Sequence, residues 1–292
     1  MIRPSATPQE VAEYDATPIL EQMRHSKSTE RREQEFGNLL KLLNRFRPLD
    51  ASSRIMEIGA GMGWFQVFCR RRGIPCEGIE LTPIFVEAAN QLAAQFGVEP
   101  TIRLANIETT DIGEECFDAV IAESVLEHTP KWQEVIRKAY RALKPGGVFY
   151  MVSSNKFSLF CGDSPGVPFY SWLPDRVRYW IRQKTDGPEI MFWGVDSNQF
   201  RYPSLKKFLL SVGFAQALDY IDIKDSDSLN HPTRTHRFVL AMAKRSRIAK
   251  WLLLTFWTAT VFVCKKGSAE GAECRDKSDT WGDVRFWNML AD

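Results

Sequence analysis

The sequence predicts an α/β protein built on a doubly wound, mostly parallel sheet of seven strands. Three observations carry that expectation. Short apolar runs alternate with stretches of helical length from residue 54 to residue 153, glycines cluster directly after the first run, and a Lys-Pro-Gly-Gly turn precedes the fifth. Strands separated by helices of this length need crossovers, and such crossovers give parallel pairing with helices on both faces.

Taken in order, residues 1–50 form a helical cover, because Leu20, Met23, Phe36, Leu39, Leu40 and Leu43 recur at helical spacing among many charges until Pro48. A domain spanning 51–265 follows. Its first strand is Arg54 to Ile58 and its first helix Trp64 to Arg72; Cys76 to Ile79 and Pro83 to Phe96 repeat the unit. Thr101 to Leu104 and Phe117 to Ala122 are the third and fourth strands. Trp132 to Leu143 is a helix, 144–147 a turn, and Val148 to Ser153 the fifth strand. The alternation then stops for an aromatic-rich insertion over about 156–202. It resumes with a helix at Ser204 to Leu210 and a strand from Gly213 through Ile221. A helical insertion over about 224–257 leads to the last strand, Thr258 to Cys264, and 266–292 is a polar tail ending in the cluster Trp281, Phe286, Trp287, Met289 and Leu290.

An apolar fraction of 44% and a charged fraction of 25% are those of an ordinary soluble chain. The formal net charge of +2 gives no field for nucleic acid, so none is expected as a partner. Six cysteines lie at 69, 76, 116, 161, 264 and 274 without a CxxC pair, which argues against a zinc or dithiol centre; no metal is expected. The polar start after Met1 does not read as a leader, and with free thiols this points to the cytoplasm.

The most informative stretch is Glu57-Ile58-Gly59-Ala60-Gly61-Met62-Gly63, between the first strand and its helix. Ligands of open parallel sheets bind beyond the carboxyl ends of the strands, where this loop lies. The dinucleotide pattern G-x-G-x-x-G would need glycine at 64, which is Trp64, so a nicotinamide-dependent dehydrogenase is disfavoured. A carboxylate two residues before the first glycine repels a pyrophosphate and suits a ligand with an ammonium group. A second acid, Glu80, ends the second strand, where a carboxylate can accept hydrogen bonds from both hydroxyls of a ribose.

In these motifs the chain resembles the class I S-adenosylmethionine-dependent methyltransferases, which are Rossmann-like. It is most similar to their bacterial small-molecule branch, related to the enzymes of ubiquinone and menaquinone biosynthesis. The resemblance covers about residues 50–155. It implies S-adenosyl-L-methionine as cofactor, with Glu57, Gly59, Ala60, Gly61 and Gly63 around the methionine portion, Glu80 and Leu81 at the ribose, and Asn106 and Ile107 flanking the adenine. Asn106 departs from the Asp more common in the family, but an amide still meets the adenine amino group. Ala122 to His128 matches the segment lining the methyl-transfer site, and Arg141 to Gly147 the turn before the fifth strand. The activity implied is methyl transfer to a small-molecule or lipid-linked acceptor at O, N or C.

Transfer from a sulfonium is an in-line displacement that needs positioning and exclusion of water, and hydroxyl acceptors also need a base. Glu123 is a candidate contact to the sulfonium end or the acceptor, and otherwise a helix cap. His128 is the candidate base, and otherwise a residue that fixes the loop. In the insertion, Phe157, Phe160, Phe169, Tyr170, Trp172, Tyr179, Trp180, Phe192 and Trp193 give an aromatic density suited to an aromatic or lipid-like acceptor, or else to packing on the sheet. Phe160, Tyr170 and Trp172 are the candidate acceptor contacts; Asp163, Asp175 and Arg178 are polar groups of the same stretch. Residues 244–264 combine a basic segment with fourteen uncharged residues, too short to span a membrane. They read as a core helix feeding the last strand, or as a peripheral contact at the inner face of the membrane. A non-catalytic binding protein on the same fold is the alternative function.

Overall fold

The computed structural model describes residues 7–13, 15–159, 169–186, 198–224 and 234–268. Phe160, Asp163, Phe192, Trp193 and the aromatic cluster 281–290 lie outside the described residues.

Seven strands form one sheet: β1 (Ile55–Ile58), β2 (Cys76–Glu80), β3 (Ile102–Leu104), β4 (Phe117–Glu123), β5 (Leu143–Ser154), β6 (Gln216–Asp219) and β7 (Ala259–Lys265), in the order β3-β2-β1-β4-β5-β7-β6. Neighbours among the first five pair in parallel, while β7 runs against both β5 and β6. The order reverses between β1 and β4, so the chain leaves these two strands towards opposite sides and opens a crevice at their carboxyl ends.

The helices are α1 (Pro8–Ala12), α2 (Thr17–His25), α3 (Thr29–Asn44), α4 (Trp64–Arg71), α5 (Pro83–Gln95), α6 (Trp132–Ala142), α7 (Asp175–Asp186), α8 (Tyr202–Val212), α9 (Tyr220–Ile223), α10 (Arg234–Arg245) and α11 (Arg247–Thr255). Proline in the first turn starts α1, α2, α5 and α8, where its fixed φ fits and its missing N–H is not needed. Serine caps start α3 and α11: Ser28 Oγ accepts from the Arg31 N–H and Ser246 Oγ from the Ala249 N–H.

Strand alternation sends side chains to two cores. Ile55, Ala119, Ile121, Val148 and Val263 meet Phe36 and Leu43 of α3 and Phe68 of α4 on one face. Met56, Val120, Ala122, Phe149 and Phe262 meet Val135 and Ile136 of α6 and Leu205 and Leu209 of α8 on the other. The hairpin of α10 and α11 joins this second core through Leu240, Ala243 and Leu254.

Two local expectations change. Residues 144–147, read as a turn, are drawn into β5: Phe117 pairs with Leu143 but Ala119 with Val148, so the stretch between bulges out, with Gly146 at φ +74°. The strand expected from Gly213 through Ile221 is shorter, because Asp219 turns the chain. Its Oδ1 accepts from the N–H groups of Ile221 (3.1 Å) and Asp222 (3.2 Å), while Asp222 Oδ2 accepts from the Asp219 N–H. This capping box starts α9 where the strand pattern would have run on.

Asp118, almost fully buried at the start of β4, ties the cover to the sheet. One oxygen accepts from Arg47 Nη2 at 2.7 Å, and the other from Lys144 Nζ at 2.7 Å and the Arg54 N–H at 3.0 Å. Burial pushes its carboxyl up, but Lys144, the Arg54 N–H and Arg47 together bring it below the usual range. Its stabilisation is therefore present above the ordinary carboxylate pKa and lost as pH falls through the lower folded value. Asp118→Ala should cost about 3 kcal/mol in urea unfolding at neutral pH and flatten the acid limb of the stability profile.

Candidate active site

Three glycines shape the loop after β1. Gly59, Gly61 and Gly63 have φ of +71°, +51° and +74°, a region that disfavours any side chain. The loop is pinned to the end of β2 by the N–H groups of Gly59 and Ala60, which both donate to Ile79 O. A Cβ at Gly59 would stand 2.7 Å from Val125 Cγ2, and one at Gly63 would stand 2.8 Å from Ala89 Cβ. At Gly61 the nearest atom is Met23 Cε of α2, 3.7 Å away, so the middle of the loop is the part left open.

Glu80 is buried at the end of β2 and grips this loop. Its Oε2 accepts from the Gly61 N–H at 2.8 Å and its Oε1 from the Thr82 N–H at 2.9 Å. Burial raises its carboxyl, with those two hydrogen bonds working the other way. The Thr82 hydroxyl and the Leu81 N–H lower it as well.

Glu57 lies on β1 on the face that carries α3 and α4, beside Ile121 of β4 in the register. Its Oε2 is buried without a hydrogen-bond partner. Burial lifts its carboxyl well above the ordinary value, and Cys69, Glu123 and Glu80 push in the same direction; the Gln66 amide opposes them. Glu123 closes β4. It is exposed towards the crevice yet ringed by protein, so burial raises it too, with Lys27 opposing and Glu35 adding. Tyr150 of β5 is held in its neutral phenol form by burial and by Glu123. Lys27 and Glu35 form an ion pair at 2.6 Å on the cover, which places α2 and α3 over the acid cluster. Beside Glu80 the cover leaves a cleft of about 530 Å³ lined by Val11, Glu13, Asp15, Thr82, Pro83 and Glu87, among others.

The segment after β4 is bolted in place. Ser124 adopts φ +52° and its N–H donates to Val152 O. Ser153 Oγ donates to buried Glu127 Oε2, while Asn198 Nδ2 donates to Leu126 O (3.0 Å) and Thr129 O (2.7 Å). His128 ends this single helical turn, half-buried, with its N–H on Val125 O. On the other side of the crevice, Asn106 and Ile107 are buried after β3, and Asn106 Oδ1 accepts from the Glu108 N–H at 2.7 Å. Leu81 is half-buried beside Glu80. Lys138 Nζ of α6 gathers three carbonyls of the same loop: Ile107 at 2.9 Å, Glu108 at 2.6 Å and Thr110 at 3.0 Å.

The structure thus brings together Glu57, the glycine loop, Glu80 and Glu123 at the carboxyl ends of adjacent strands. The candidate acceptor contacts of the insertion sit differently. Tyr170 is 1% exposed, its hydroxyl donates to Arg178 O at 3.1 Å, and it packs the insertion. Trp172 donates from Nε1 to Ser158 O and stacks on Phe256 at 5.9 Å. Tyr150, Gln66, Asn198 and Lys138 were not legible as site residues. Nothing near them in sequence marks them, since each meets its partners on another element of the fold.

Loop strain and loop contact separate by mutation. Gly59→Ala combines a left-handed backbone with a clash on Val125 and should cost about 3 kcal/mol. Gly61→Ala meets only the backbone penalty, about 1–2 kcal/mol. Urea unfolding of both variants checks the order.

Comparison with known proteins agrees with this geometry. Residues 56–151 match the methyltransferase domain family. A ubiquinone biosynthesis O-methyltransferase of Methylobacterium nodulans is 32% identical over 135 residues, which are 46% of this chain and 54% of that protein. The enzyme of the same name from Xanthomonas axonopodis pv. citri is 31% identical over 109 residues, 36% of this chain and 45% of that one. The chain therefore spans about half the length of the curated relatives it matches. Among solved structures, the [4+2]-cyclase SpnF aligns at TM-score 0.54 with 17% identity, covering 92% of this chain and 100% of that one. A SAM dependent methyltransferase from Archaeoglobus fulgidus aligns at TM-score 0.51 with 14% identity, covering 86% and 100%. The strand order and the glycine loop between two acids thus lie in the stretch, residues 56–151, that is similar to the methyltransferase domain family.

Proposed function

We propose that the protein binds S-adenosyl-L-methionine in this crevice and transfers its methyl group to a small-molecule or lipid-linked acceptor at O, N or C. The observation that carries the reading is the acid cluster beside the glycine loop. Glu57 has a buried oxygen without a partner, and Glu57, Glu80 and Glu123 are all raised by burial. Such a cluster is relieved by a ligand that is cationic at one end and carries vicinal hydroxyls. When bound, the cofactor supplies an activated methyl group on a sulfonium.

The chain's own residues then have separate tasks. Glu57 faces the ammonium across the glycines 59, 61 and 63. Glu80, held in place by the N–H groups of Gly61 and Thr82, takes the ribose hydroxyls, with Leu81, Asn106 and Ile107 around the base. Glu123 stands at the reacting end, and the neutral Tyr150 phenol beside it is a donor that orients the acceptor. For a hydroxyl acceptor, His128 takes the proton. The names of the relatives support a small molecule, and a lipid-linked one fits Trp172 and the other aromatics of the insertion. A peripheral membrane contact through 244–264 belongs to the same reading.

Calorimetric titration with S-adenosylmethionine and S-adenosylhomocysteine tests this. Glu80→Ala should weaken binding by about 2 kcal/mol, roughly thirtyfold. Between the ordinary carboxylate pKa and its raised folded value, Glu57 in the free protein carries a proton that a cationic ligand displaces. Binding should therefore release protons, seen as heats that change with the buffer's ionisation enthalpy. Glu57→Gln should reduce that dependence and leave the part that Glu80 and Glu123 contribute. A folded protein that takes up neither compound would overturn the proposal.

A further inference from the structure

The hairpin of α10 and α11 has two unlike faces. Inward, Leu240, Ala243 and Leu254 enter the core, and Lys250 is paired with Asp219 and Asp222. Outward, Phe238 and Met242 stand one turn apart on α10, and Ile248, Leu252 and Phe256 follow at the same interval along α11. All five are exposed, Phe238 to 68% and Ile248 to 61%. The stripe continues into the insertion, because Phe256 stacks on exposed Trp172 and Trp172 meets Phe169 edge-on at 5.3 Å. Seven exposed apolar side chains on these neighbouring elements call for a partner.

Charge identifies it. From Arg234 to Thr258 the sequence holds six Lys or Arg and no Asp or Glu. Arg237, Lys244, Arg245 and Arg247 are exposed around the apolar stripe. Among the described residues no helix is long and apolar enough to cross a membrane. Aromatic and aliphatic side chains ringed by cations, on helices too short to span, match the requirements of a surface that lies in the headgroup region of an anionic bilayer.

Position links this face to the crevice. Asn155, directly after β5, donates from Nδ2 to the carbonyls of Leu254 (3.1 Å), Thr255 (3.1 Å) and Trp257 (2.8 Å). It fixes the Phe256 end of α11 at the carboxyl edge of β5, the edge that also carries the glycine loop, Glu80 and Glu123.

We propose that the outer face of the α10–α11 hairpin, with Phe169 and Trp172, docks on an anionic lipid bilayer and presents the carboxyl edge of the sheet to an acceptor held in that bilayer. This deepens the lipid-linked acceptor reading and rests on it for the second half of the statement. Flotation of the full chain with phosphatidylglycerol–phosphatidylcholine vesicles, against vesicles of phosphatidylcholine alone, is the test. Wild type should float with the anionic vesicles and far less with the neutral ones. The doubles Phe238→Ser with Ile248→Ser, and Arg237→Glu with Arg245→Glu, alter exposed side chains only. Each should keep the wild-type melting curve and reduce the bound fraction about tenfold. A wild type that stays in solution, floats equally with neutral vesicles, or is matched by both doubles overturns the proposal. So does concentration-dependent dimerisation abolished by the same doubles without vesicle binding, since a second copy would then own the face. S-adenosylhomocysteine titration of the same samples keeps the two readings apart. Flotation without cofactor uptake sinks the methyltransferase reading and leaves the lipid face, whereas uptake without flotation does the reverse.

Discussion

The site depends on one buried carboxylate. Glu80 spends one oxygen on the Gly61 N–H and the other on the Thr82 N–H, and so fixes the glycine loop to the end of β2 and to the start of α5. Without that grip, a loop with three left-handed glycines in five residues would have many conformations to choose from. Val125 and Ala89 then close against Gly59 and Gly63, leaving Gly61 as the one open point of the loop. The cost of burying the charge is offset only in part, because burial still raises the group. The free protein thus holds an acid-rich crevice that is stable enough to fold and strained enough to favour a cation.

Around that crevice the chain uses long-range bolts. Asn198 reaches from the far end of the insertion to the turn after β4, Ser153 holds Glu127 from β5, and Lys138 draws three carbonyls of the loop after β3 onto α6. Each bolt satisfies polar groups that would otherwise be buried alone. The fold by itself does not dictate the chemistry, since one structural neighbour is a [4+2]-cyclase. The acids and their spacing beside the glycine loop are what favour a cationic ligand.

Much of this was legible in the sequence. β1 through β5 and the helices between them follow the apolar periodicity, and Glu57 and Glu80 stand out because their offsets from the glycines are chemically meaningful. The bulge at 144–147 was not legible, since nothing local says that β4 and β5 fall out of register there. Nor was the early end of β6, which is decided by a capping box that overrides an apolar strand pattern. Lys138 reads as an exposed helix cation, and Tyr150 as one more apolar strand residue, until three carbonyls and an acid are found beside them. Tyr170, an aromatic in the same suggestive stretch, is buried with its hydroxyl on the Arg178 carbonyl, a placement that no local pattern announces.

The direction of β7 has a practical corollary. Because it runs against β5, its first residue, Ala259, lies opposite Ser154 and its last, Lys265, opposite Val148. Lys266 and Gly267 then bond back to Gly147 and Gly146, so the chain departs from the sheet at the end remote from the glycine loop. A fluorophore or surface tether placed on Ser268 itself would start from the side opposite the crevice. Immobilised that way, the protein would turn its crevice outward to whatever flows past.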